Sequence, residues 1–477
     1  MRTYQDFQAA QNIVEFIKQA INDHRGSVDY QTAVNAEQYD KQKNVTINEF
    51  SHKVFSADGR EVIDPTASNN RIASNFFHRL LTQRVSYSLG NGVSFTDHIR
   101  KDIVDGNEVS IDETKEKLGD DFDTQLYKVA YSGERDGSSY ALLNYDSKDG
   151  YTLHLFPLTQ FVPLLDEMDG TLRAGIRFWS LDWGKKPVTA VLYEEDGYTT
   201  YRTREGGTGM DLVELEPKKA YLQIVQHTEA EGDVLAGEEN YSAGLPIIPF
   251  YGKNKQSALV GMRAAIDSYD LIQSGFADDI ADCAQIYWII GNALGMDDSD
   301  IRKFRERLLF QHMAVVDTDN SSATPHTQEV PYAAREAYLN RIADRIYKDF
   351  GAFNPDTVAA GNITATQIKA AYQAQDEEAD DFEYRVIQFI RRVLALMGIE
   401  DMPQFKRNMV ANQLEQVQMV VAEAPYLDDE TILTLLPNIT PDMVQPILAR
   451  KGVQDNERWD EEQGAVDQDN NGGYRYV

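Results

Sequence analysis

The sequence predicts an α+β protein, on three observations. Between about residues 131 and 226 the chain carries short segments rich in aromatic and β-branched residues, separated by turns with Asp-Gly or other glycines, so we expect an antiparallel region of five to seven strands. Two long segments, about 258–284 and 364–397, have apolar residues at steps of three and four and predict amphipathic helices. On the first helix we expect the acids Asp270, Asp278, Asp279 and Asp282 to lie mostly away from the apolar stripe that runs from Met262 to Cys283. Between the two long segments, residues 286–332 read as a small α/β insert, followed by a helical period over 333–351.

The remaining segments are assigned by the same rules. Residues 1–120 read as helical with interruptions, and in the stretch 69–95 a helical spacing runs from Ile72 and Phe76 to Leu89, before a Gly-Asn-Gly turn. Residues 245–256 read as an extended connector, and residues 408–450 as two or three short helices among prolines. In the insert we expect the strand YWIIG, the helix DSDIRKFRERLLF, the strand HMAVVD and a polar loop. Residues 451–477 read as a polar tail.

Composition restricts the class of function. The chain has 477 residues, 46 of them basic and 77 acidic, which gives a net charge of −31. Tight binding of nucleic acid needs clustered Lys and Arg, so this charge disfavours a DNA-gripping protein but not one that touches DNA without adhering to it. The single cysteine, Cys283, cannot form an intrachain disulfide and favours a reducing compartment. Without a signal-peptide pattern or a long apolar run, we expect a soluble cytoplasmic protein that does not contact membranes.

Signatures of enzymes are missing from the sequence. It has no Gly-x4-Gly-Lys-Ser/Thr loop, no His-Glu-x-x-His and no Gly-x-Ser-x-Gly. We therefore predict no catalytic residues, no metal site and no cofactor. An enzyme with its site in the β region stays open as a lesser alternative, which a survey of nucleotide and metal binding would test.

A basic cluster stands out in this acidic chain. The segment RKFRERLLF carries four cations, namely Arg302, Lys303, Arg305 and Arg307. One interpretation is the exposed face of an amphipathic helix whose apolar residues are buried. The other is a docking surface for an acidic partner or for phosphates. The two interpretations are compatible.

A dense acidic run lies on the second long helix. At 100° per residue, Asp376, Asp380 and Glu383 share one face, with Glu377 and Asp381 beside them. The opposite arc is apolar and holds Tyr372, Ala379, Phe382, Val386, Phe389, Ile390, Val393 and Met397. Like charges at i,i+4 destabilise an isolated helix, so packing of the apolar arc must offset them. The acidic face is either simply solvated or functional.

The order of these segments resembles the bacteriophage portal protein family, of the type found in long-tailed phages of Gram-positive hosts. Five stretches over about 400 residues resemble segments of that family, namely NNRIASNFFHRLLTQRVSYSLGNGVSF, GSSYALLNYDSKDGYTLHLFPLTQFVPLLDE, LPIIPFYGKNKQSALVGMRAAIDSYDLIQSGFADDI, GNITATQIKAAYQ and DDETILTLLPNIT. Their order and spacing carry the resemblance, since none of the five is specific alone.

The resemblance implies a portal fold. It places a β-rich wing at 1–257 with a return near 398–410, stem helices at 258–285 and 333–350, a clip at 286–332, a tunnel loop and tunnel helix at 351–397, and a crown with a polar tail at 411–477. It also implies a ring of twelve copies at one capsid vertex of the virion, assembled in the host cytoplasm. The implied partners are the terminase large subunit, a head–tail adaptor, the major capsid and scaffolding proteins, and double-stranded DNA bound without sequence specificity.

These implications lead to two hypotheses about residues. The acids Asp376, Glu377, Asp380, Asp381 and Glu383 would line the DNA channel, together with Asn362, Thr364, Gln367 and Lys369 at the tunnel loop. Repulsion among the acids would be relieved by Arg385, Arg391 and Arg392 or by bound cations. The four clip cations would meet the packaging motor and the adaptor. The competing class is an acidic, non-phage oligomeric scaffold or binding protein that translocates no DNA.

Overall fold

A computed structural model describes most of the chain. The described residues are 2–56, 58–64, 67–104, 107–146, 150–180, 187–204, 211–228, 232–283, 287–291, 299, 302–303, 322–326, 332–355, 365–408, 420–436, 439, 444, 446–448 and 450. The helices found there are, in chain order, α1 (Tyr4–Gln8), α2 (Ile13–Arg25), α3 (Val28–Asp40), α4 (Val45–Glu49), α5 (Phe76–Leu89), α6 (Glu113–Leu118), α7 (Phe122–Asp136), α8 (Leu259–Cys283), α9 (Tyr332–Phe350), α10 (Ala365–Met397) and α11 (Asp429–Leu435).

The strands of the same residues follow in chain order. They are β1 (Lys53–Phe55), β2 (Glu61–Ile63), β3 (Val93–Phe95), β4 (Ile99–Val104), β5 (Asn107–Asp112), β6 (Ser138–Asp146), β7 (Gly150–Pro157), β8 (Phe161–Leu165), β9 (Leu172–Trp179), β10 (Thr189–Glu194), β11 (Gly197–Thr203), β12 (Leu212–Lys219), β13 (Leu222–Thr228), β14 (Gly232–Glu239), β15 (Ile247–Tyr251), β16 (Tyr287–Gly291), β17 (Ser322–His326) and β18 (Pro403–Phe405). Helices and strands are thus both abundant, which confirms the predicted α+β class.

The chain divides into two compact units. The first unit comprises residues 1–37, 79–260 and 351–477, and the second comprises residues 38–78 and 261–350.

The first unit is built around antiparallel sheets. A five-stranded sheet has the order β12-β11-β10-β9-β8, and a three-stranded sheet has the order β15-β6-β7. Helix α2 buries Phe16, Ile17 and Ile21 against the five-stranded sheet. A second core joins α5, α7 and α10 to the three-stranded sheet, with Leu126 and Phe389 among its buried residues. The predicted antiparallel region is confirmed.

The β region differs from the prediction at its edges. The predicted region begins at Tyr131, which instead lies in α7, and the described part of 138–228 holds eight strands rather than five to seven. Helix α7 ends at Asp136, because the next residue, Gly137, adopts the left-handed conformation at φ +92°. A Cβ on residue 137 would stand 2.8 Å from the backbone nitrogen of Ser257, so glycine is required there. The hairpins β1–β2 and β4–β5 are likewise strands within a region predicted to be helical.

The second unit contains α8 and α9, which confirm the helices predicted at 258–284 and 333–351. Phe76 at the start of α5 lies edge-to-face on Tyr269 of α8, with ring centroids 5.0 Å apart, and on Tyr347 of α9 at 6.1 Å. Ile266 and Ile346 are fully buried. The side chain of Phe76 thus contacts both long helices of this unit.

Two expectations, one about the acids of α8 and one about the start of α5, are wrong. The acids of this helix were expected mostly away from its packed stripe, yet Asp270, Ser274 and Asp278 are buried. They accept hydrogen bonds from the backbone N–H groups of the extended segment 70–74: Ser74 to Asp270 at 2.9 Å, Ile72 to Ser274 at 3.0 Å and Asn70 to Asp278 at 2.6 Å. Because these donors are used outside a helix, α5 begins at Phe76 rather than near Ile72.

The insert is described in part. Strand β16 confirms the predicted strand YWIIG, but it pairs with β17, which lies in the expected polar loop. The predicted strand HMAVVD lies outside the described residues. Residues 299, 302 and 303 are helical, as predicted for that segment.

Candidate functional site on the long acidic helix

The acidic run lies on α10, and the helix packs as its periodicity predicts. Tyr372, Ala379, Phe382, Val386, Phe389, Ile390 and Val393 of the apolar arc are buried, whereas Met397 is half-buried. On the other side Glu377, Asp380 and Asp381 are exposed, and Asp376 and Glu383 are half-buried. The acids therefore stand on a helix fixed by its own core.

Three of these acids converge on Arg407, a residue that the sequence did not suggest. Its Nη1 lies 3.2 Å from Asp376, its Nε lies 2.9 Å from Glu383, and its Nη2 contacts both Glu383 and Asp380. The side chain of Arg407 is 25% exposed. The residue lies two positions after β18, the strand that pairs with β3. The hydrogen bond to Glu383 is the largest of several effects that raise the pKa of Arg407 above its ordinary value.

Residues of α5 complete this cluster. The Tyr87 hydroxyl donates to Asp376 at 2.6 Å, and the Ser88 hydroxyl donates to Glu383 at 2.8 Å. Burial, followed by the hydrogen bond to Asp376, raises the pKa of Tyr87, so the phenol stays protonated and acts as a donor. We call Asp376, Asp380, Glu383 and Arg407 the Arg407 cluster.

A second ion cluster surrounds a fully buried acid of α7. The Glu134 side chain is 1% exposed and contacts Arg84 of α5 at 3.1 Å and Arg385 of α10. Arg84 also reaches Glu378 at 3.2 Å, and Arg385 reaches Asp381 at 3.2 Å. A buried carboxylate is stable only when it is paired, so Glu134 ties α5, α7 and α10 together.

The turn that follows α9 positions Glu378. Gly351 has φ +69°, and a Cβ there would stand 2.6 Å from Cγ of Glu378, so only glycine lets the acid approach. The other carboxylate oxygen of Glu378 accepts from Lys253 at 2.7 Å. Nearby, Phe353 stacks on Tyr372 with ring centroids 4.4 Å apart.

The acidic face keeps a net negative charge after this pairing. Four cations, Arg84, Lys253, Arg385 and Arg407, pair with six carboxylates, those of Glu134, Asp376, Glu378, Asp380, Asp381 and Glu383, and Glu377 adds a seventh negative charge, which accepts a hydrogen bond from Gln373. Of the cations expected to relieve the repulsion, Arg385 does so, whereas Arg391 donates to the sulfur of Met402 at 2.9 Å. The face is thus ordered by charge pairing but remains acidic, with Asp380 71% exposed.

The other predicted site residues are placed only in part. Gln367 and Lys369 lie in the first turns of α10, and Asn362 and Thr364 lie outside the described residues. In the basic cluster Arg302 and Lys303 are helical and exposed, whereas Arg305 and Arg307 lie outside the described residues.

The part of the chain that the structure describes offers no metal site. It holds no group of three or more His, Cys, Asp or Glu residues able to bind a metal ion. No helix among the described residues is long and apolar enough to span a bilayer.

Comparison with known proteins gives one consistent family. The family model described as phage portal protein, SPP1 Gp6-like, matches residues 23–469. The portal protein of Bacillus phage SPP1 is 25% identical over 341 residues, which are 70% of this chain and 63% of that protein, so less than two thirds of its length is covered. The portal protein of Clostridium phage phiCD119 is 22% identical over 388 residues, which cover 77% of this chain and 81% of that protein.

Solved structures give a weaker likeness. The neck of an empty gene transfer agent particle, computed with C6 symmetry, has a TM-score of 0.43 at 10% identity, covering 77% of this chain and 91% of the other. The neck of the native particle, computed with C12 symmetry, has a TM-score of 0.38 at 10% identity, covering 77% and 90%.

Proposed function

Because the chain belongs to the phage portal protein family, SPP1 Gp6-like, we propose that it forms a ring of twelve copies at one vertex of a phage capsid. Double-stranded DNA passes through this ring into the head during packaging and out of it during ejection. The protein is a structural part of the virion, assembled in the host cytoplasm, and catalyses no reaction itself.

The observation that carries this proposal is the acidic face of α10, whose apolar arc is buried. DNA carries one negative charge per about 1.7 Å of duplex axis, so a basic channel would hold it and resist sliding. A channel lined by carboxylates repels the duplex and lets it move. With the apolar arc of α10 buried and Glu377, Asp380 and Asp381 exposed, twelve copies of the helix would present stacked negative rings. The candidates Asn362, Thr364, Gln367 and Lys369 would lie at the constriction that precedes them.

The Arg407 cluster gives these rings a fixed geometry. The guanidinium shares its donors among Asp376, Asp380 and Glu383, so it holds three carboxylates in place while its own charge is engaged by them. An arginine occupied in this way offers little to a passing phosphate. The cluster therefore orders the acidic face without making it adhesive to DNA.

The insert, residues 286–332, supplies the docking surface in this proposal. Arg302 and Lys303 are exposed there, and with Arg305 and Arg307 they form a basic stretch of an otherwise acidic chain. Such a patch attracts acidic partners. We assign it to the terminase large subunit during packaging and to the head–tail adaptor afterwards, while the major capsid and scaffolding proteins hold the rest of the ring.

The mass and shape of the purified protein test the ring. Twelve copies of the 54.0 kDa chain give a particle of twelve times 54.0 kDa, about 650 kDa, and negative-stain images should show a ring with a central hole. Native mass spectrometry and light scattering measure the same mass independently. A monomer at every salt concentration, alone and with capsid and scaffolding proteins, would contradict the proposal and favour an acidic scaffold of another kind.

A further inference from the structure

The hairpin β1–β2 of the second unit is largely apolar, with one ion pair between Lys53 and Glu61, and no described part of the chain covers it. Each of its six strand residues is exposed, and four of them are large and apolar, with Phe55 75% and Ile63 65% exposed beside Val54 and Val62. The register pairs Val54 with Val62 and Lys53 with Ile63. An isolated two-stranded hairpin is marginally stable in water, and a patch of exposed apolar residues marks an interaction site.

The hairpin is nevertheless held firmly at its base. His52, directly before β1, lies 3.0 Å from Asp278 of α8, and the same carboxylate accepts from the backbone and the side chain of Asn70 at 2.6 and 2.8 Å. The N–H of Asp64 donates to the carbonyl of His52 at 2.9 Å. One buried acid therefore pins both ends of segment 52–70, so α8 presents the hairpin in a defined position.

The same unit carries an apolar groove. An open cavity of about 500 Å³ lies between α8 and α9, lined by Leu271, Ile272, Gly275, Ala334, Arg335 and Tyr338. The Tyr338 side chain is 43% exposed, and Arg335 at the rim pairs with Asp279. Nothing in the described part of the chain covers this groove.

Groove and hairpin belong to different faces of α8. Asp270, Ser274 and Asp278 bind the segment that carries the hairpin, whereas the groove residues Leu271, Gly275 and Ile272 are turned from Ser274 by about 60°, about 100° and about 160° at 3.6 residues per turn. One chain thus exposes an apolar projection on one face and an apolar recess on another. Contacts between two such unlike surfaces are head-to-tail, and they close into a ring when the rotation between copies fits.

We propose that the β1–β2 hairpin of one copy inserts into the α8–α9 groove of the next copy around the ring. The inference rests on the proposed function, because it supplies a contact between neighbouring copies of the ring. Phe55, Ile63 and their neighbours leave water on assembly, and the groove gains the side chains that fill it. Arg335 and Asp279 at the rim stay hydrated and limit the register of the contact.

Disulfide trapping tests this contact directly. In the full chain with Cys283→Ser, cysteine is introduced in the hairpin (Phe55→Cys or Ile63→Cys) and in the groove (Ile272→Cys or Tyr338→Cys). On oxidation, hairpin–groove pairs should give a thiol-reversible ladder of linked copies up to the full ring on a non-reducing gel. The control pairs Tyr338→Cys with Met168→Cys, because Met168 is 92% exposed in the first unit, and should give no ladder.

A polar hairpin provides the second test. The double variant Phe55→Ser, Ile63→Ser should leave the circular dichroism of the monomer unchanged, because both side chains are exposed in a single copy. It should raise the protein concentration for half-assembly by roughly tenfold or more, since two large apolar side chains no longer leave water. The matched control Met168→Ser should assemble like the wild type.

The outcomes separate this contact from the ring itself. Rings that form without any hairpin–groove linkage overturn the contact and leave the ring standing. Linked open chains without closed rings support the contact and contradict the ring. Absence of both rings and linkages overturns both.

Discussion

At the scale of single residues, Arg407 determines how the acidic face of α10 is arranged. Its contacts join residues that are 24 to 31 positions apart in the chain, and the like-charged side chains that it separates would otherwise repel one another along the helix. The arginine is therefore a positioning residue, whose loss should be felt first as destabilisation.

The variant Arg407→Met should lower the free energy of unfolding by about 1–3 kcal/mol, since it leaves three carboxylates close together without their cation. Because repulsion between partly exposed charges is screened by salt, part of the loss should return in about 0.5 M NaCl. Thermal unfolding at low and high salt measures both effects. The control is Arg391→Met, at an exposed position of α10. Equal midpoints of thermal unfolding for the two variants would argue against a stabilising role of the Arg407 cluster.

Asp136 provides a second residue-scale prediction. It accepts from Arg135 at 2.7 Å and from Ser132 at 3.0 Å, yet burial outweighs these partners and raises its pKa from 3.8 to about 6. Because the folded-state pKa is the higher one, the associated stability is complete below pH 3.8 and is lost as the pH rises through about 6.

The variant Asp136→Asn should therefore flatten the fall in unfolding free energy between about pH 4 and pH 6. At 1.36 kcal/mol per pH unit the difference amounts to about 3 kcal/mol at most. Urea unfolding at several pH values measures it, with Asp120→Asn at an exposed position as the control. If the unfolding free energy of Asp136→Asn falls with pH as steeply as that of the wild type, the pKa of Asp136 is not raised in the folded protein.

At the scale of elements, α10 combines a buried arc with a charged edge. The arc anchors the helix on the three-stranded sheet, and the Glu134 cluster joins it to α5 and α7. The edge is thereby free to carry like charges that a helix in isolation would not tolerate. Substitutions at the exposed edge should accordingly change function more than stability.

The double variant Glu377→Lys, Asp381→Lys should slow or stall DNA packaging, because twelve copies would add twenty-four cations to the channel. Neither residue belongs to the Arg407 cluster, so that cluster is left intact, and among the described residues the one ion pair lost is that between Asp381 and Arg385, where Arg385 keeps its contact with Glu134. The charge-removing control Glu377→Gln, Asp381→Asn should package at nearly the wild-type rate. A packaging assay with purified heads measures the rate, and normal packaging by the Lys variant would exclude these acids from the channel.

The basic stretch of the insert is the second element with a testable role. Reversing Arg302 and Lys303 to Glu should weaken binding of the packaging ATPase and of the adaptor, because both residues are exposed cations. Pull-down of each partner at two salt concentrations measures the loss. The control reverses Lys253, which is paired with Glu378 in the first unit; retention of both partners by the Glu variant would refute the assignment.

At the scale of the whole molecule, net charge opposes assembly. Each chain carries −31, so copies in a ring repel one another at long range. Contacts that close the proposed ring must then be short-ranged, as an apolar contact between hairpin and groove would be. Salt separates the two contributions, because it screens charge and leaves apolar burial in place.

Raising NaCl from about 10 mM to about 100 mM shortens the Debye length from about 30 Å to about 10 Å and should increase the fraction of rings at a given protein concentration. Analytical ultracentrifugation measures this fraction. Sucrose at matched osmolality, which leaves charge unscreened, should change it less. A ring fraction that falls with salt would mean that ion pairs between copies, rather than apolar contacts, close the ring.

Sequence alone determined the local elements of this protein. Periods of 2 and 3.6 residues, read within short windows, predicted the antiparallel region that holds β6 to β13, strand β16 and the helices α8, α9 and α10, and they placed Phe382 and Phe389 on the buried arc. These successes share one cause: the burial of a side chain in a helix or strand follows from its nearest neighbours in sequence. The order of the segments also indicated the portal family.

Only the tertiary structure decided which charges meet and which polar groups are buried. Arg407 finds its acids across a turn and a strand, and Asp278 binds Asn70 from 208 positions away. No pattern within a window reports such pairs, because their proximity depends on how the chain returns upon itself. The same reason explains why α8 buries Asp270 where its apolar spacing predicted otherwise: the donors of segment 70–74 lie beside it only in the folded chain.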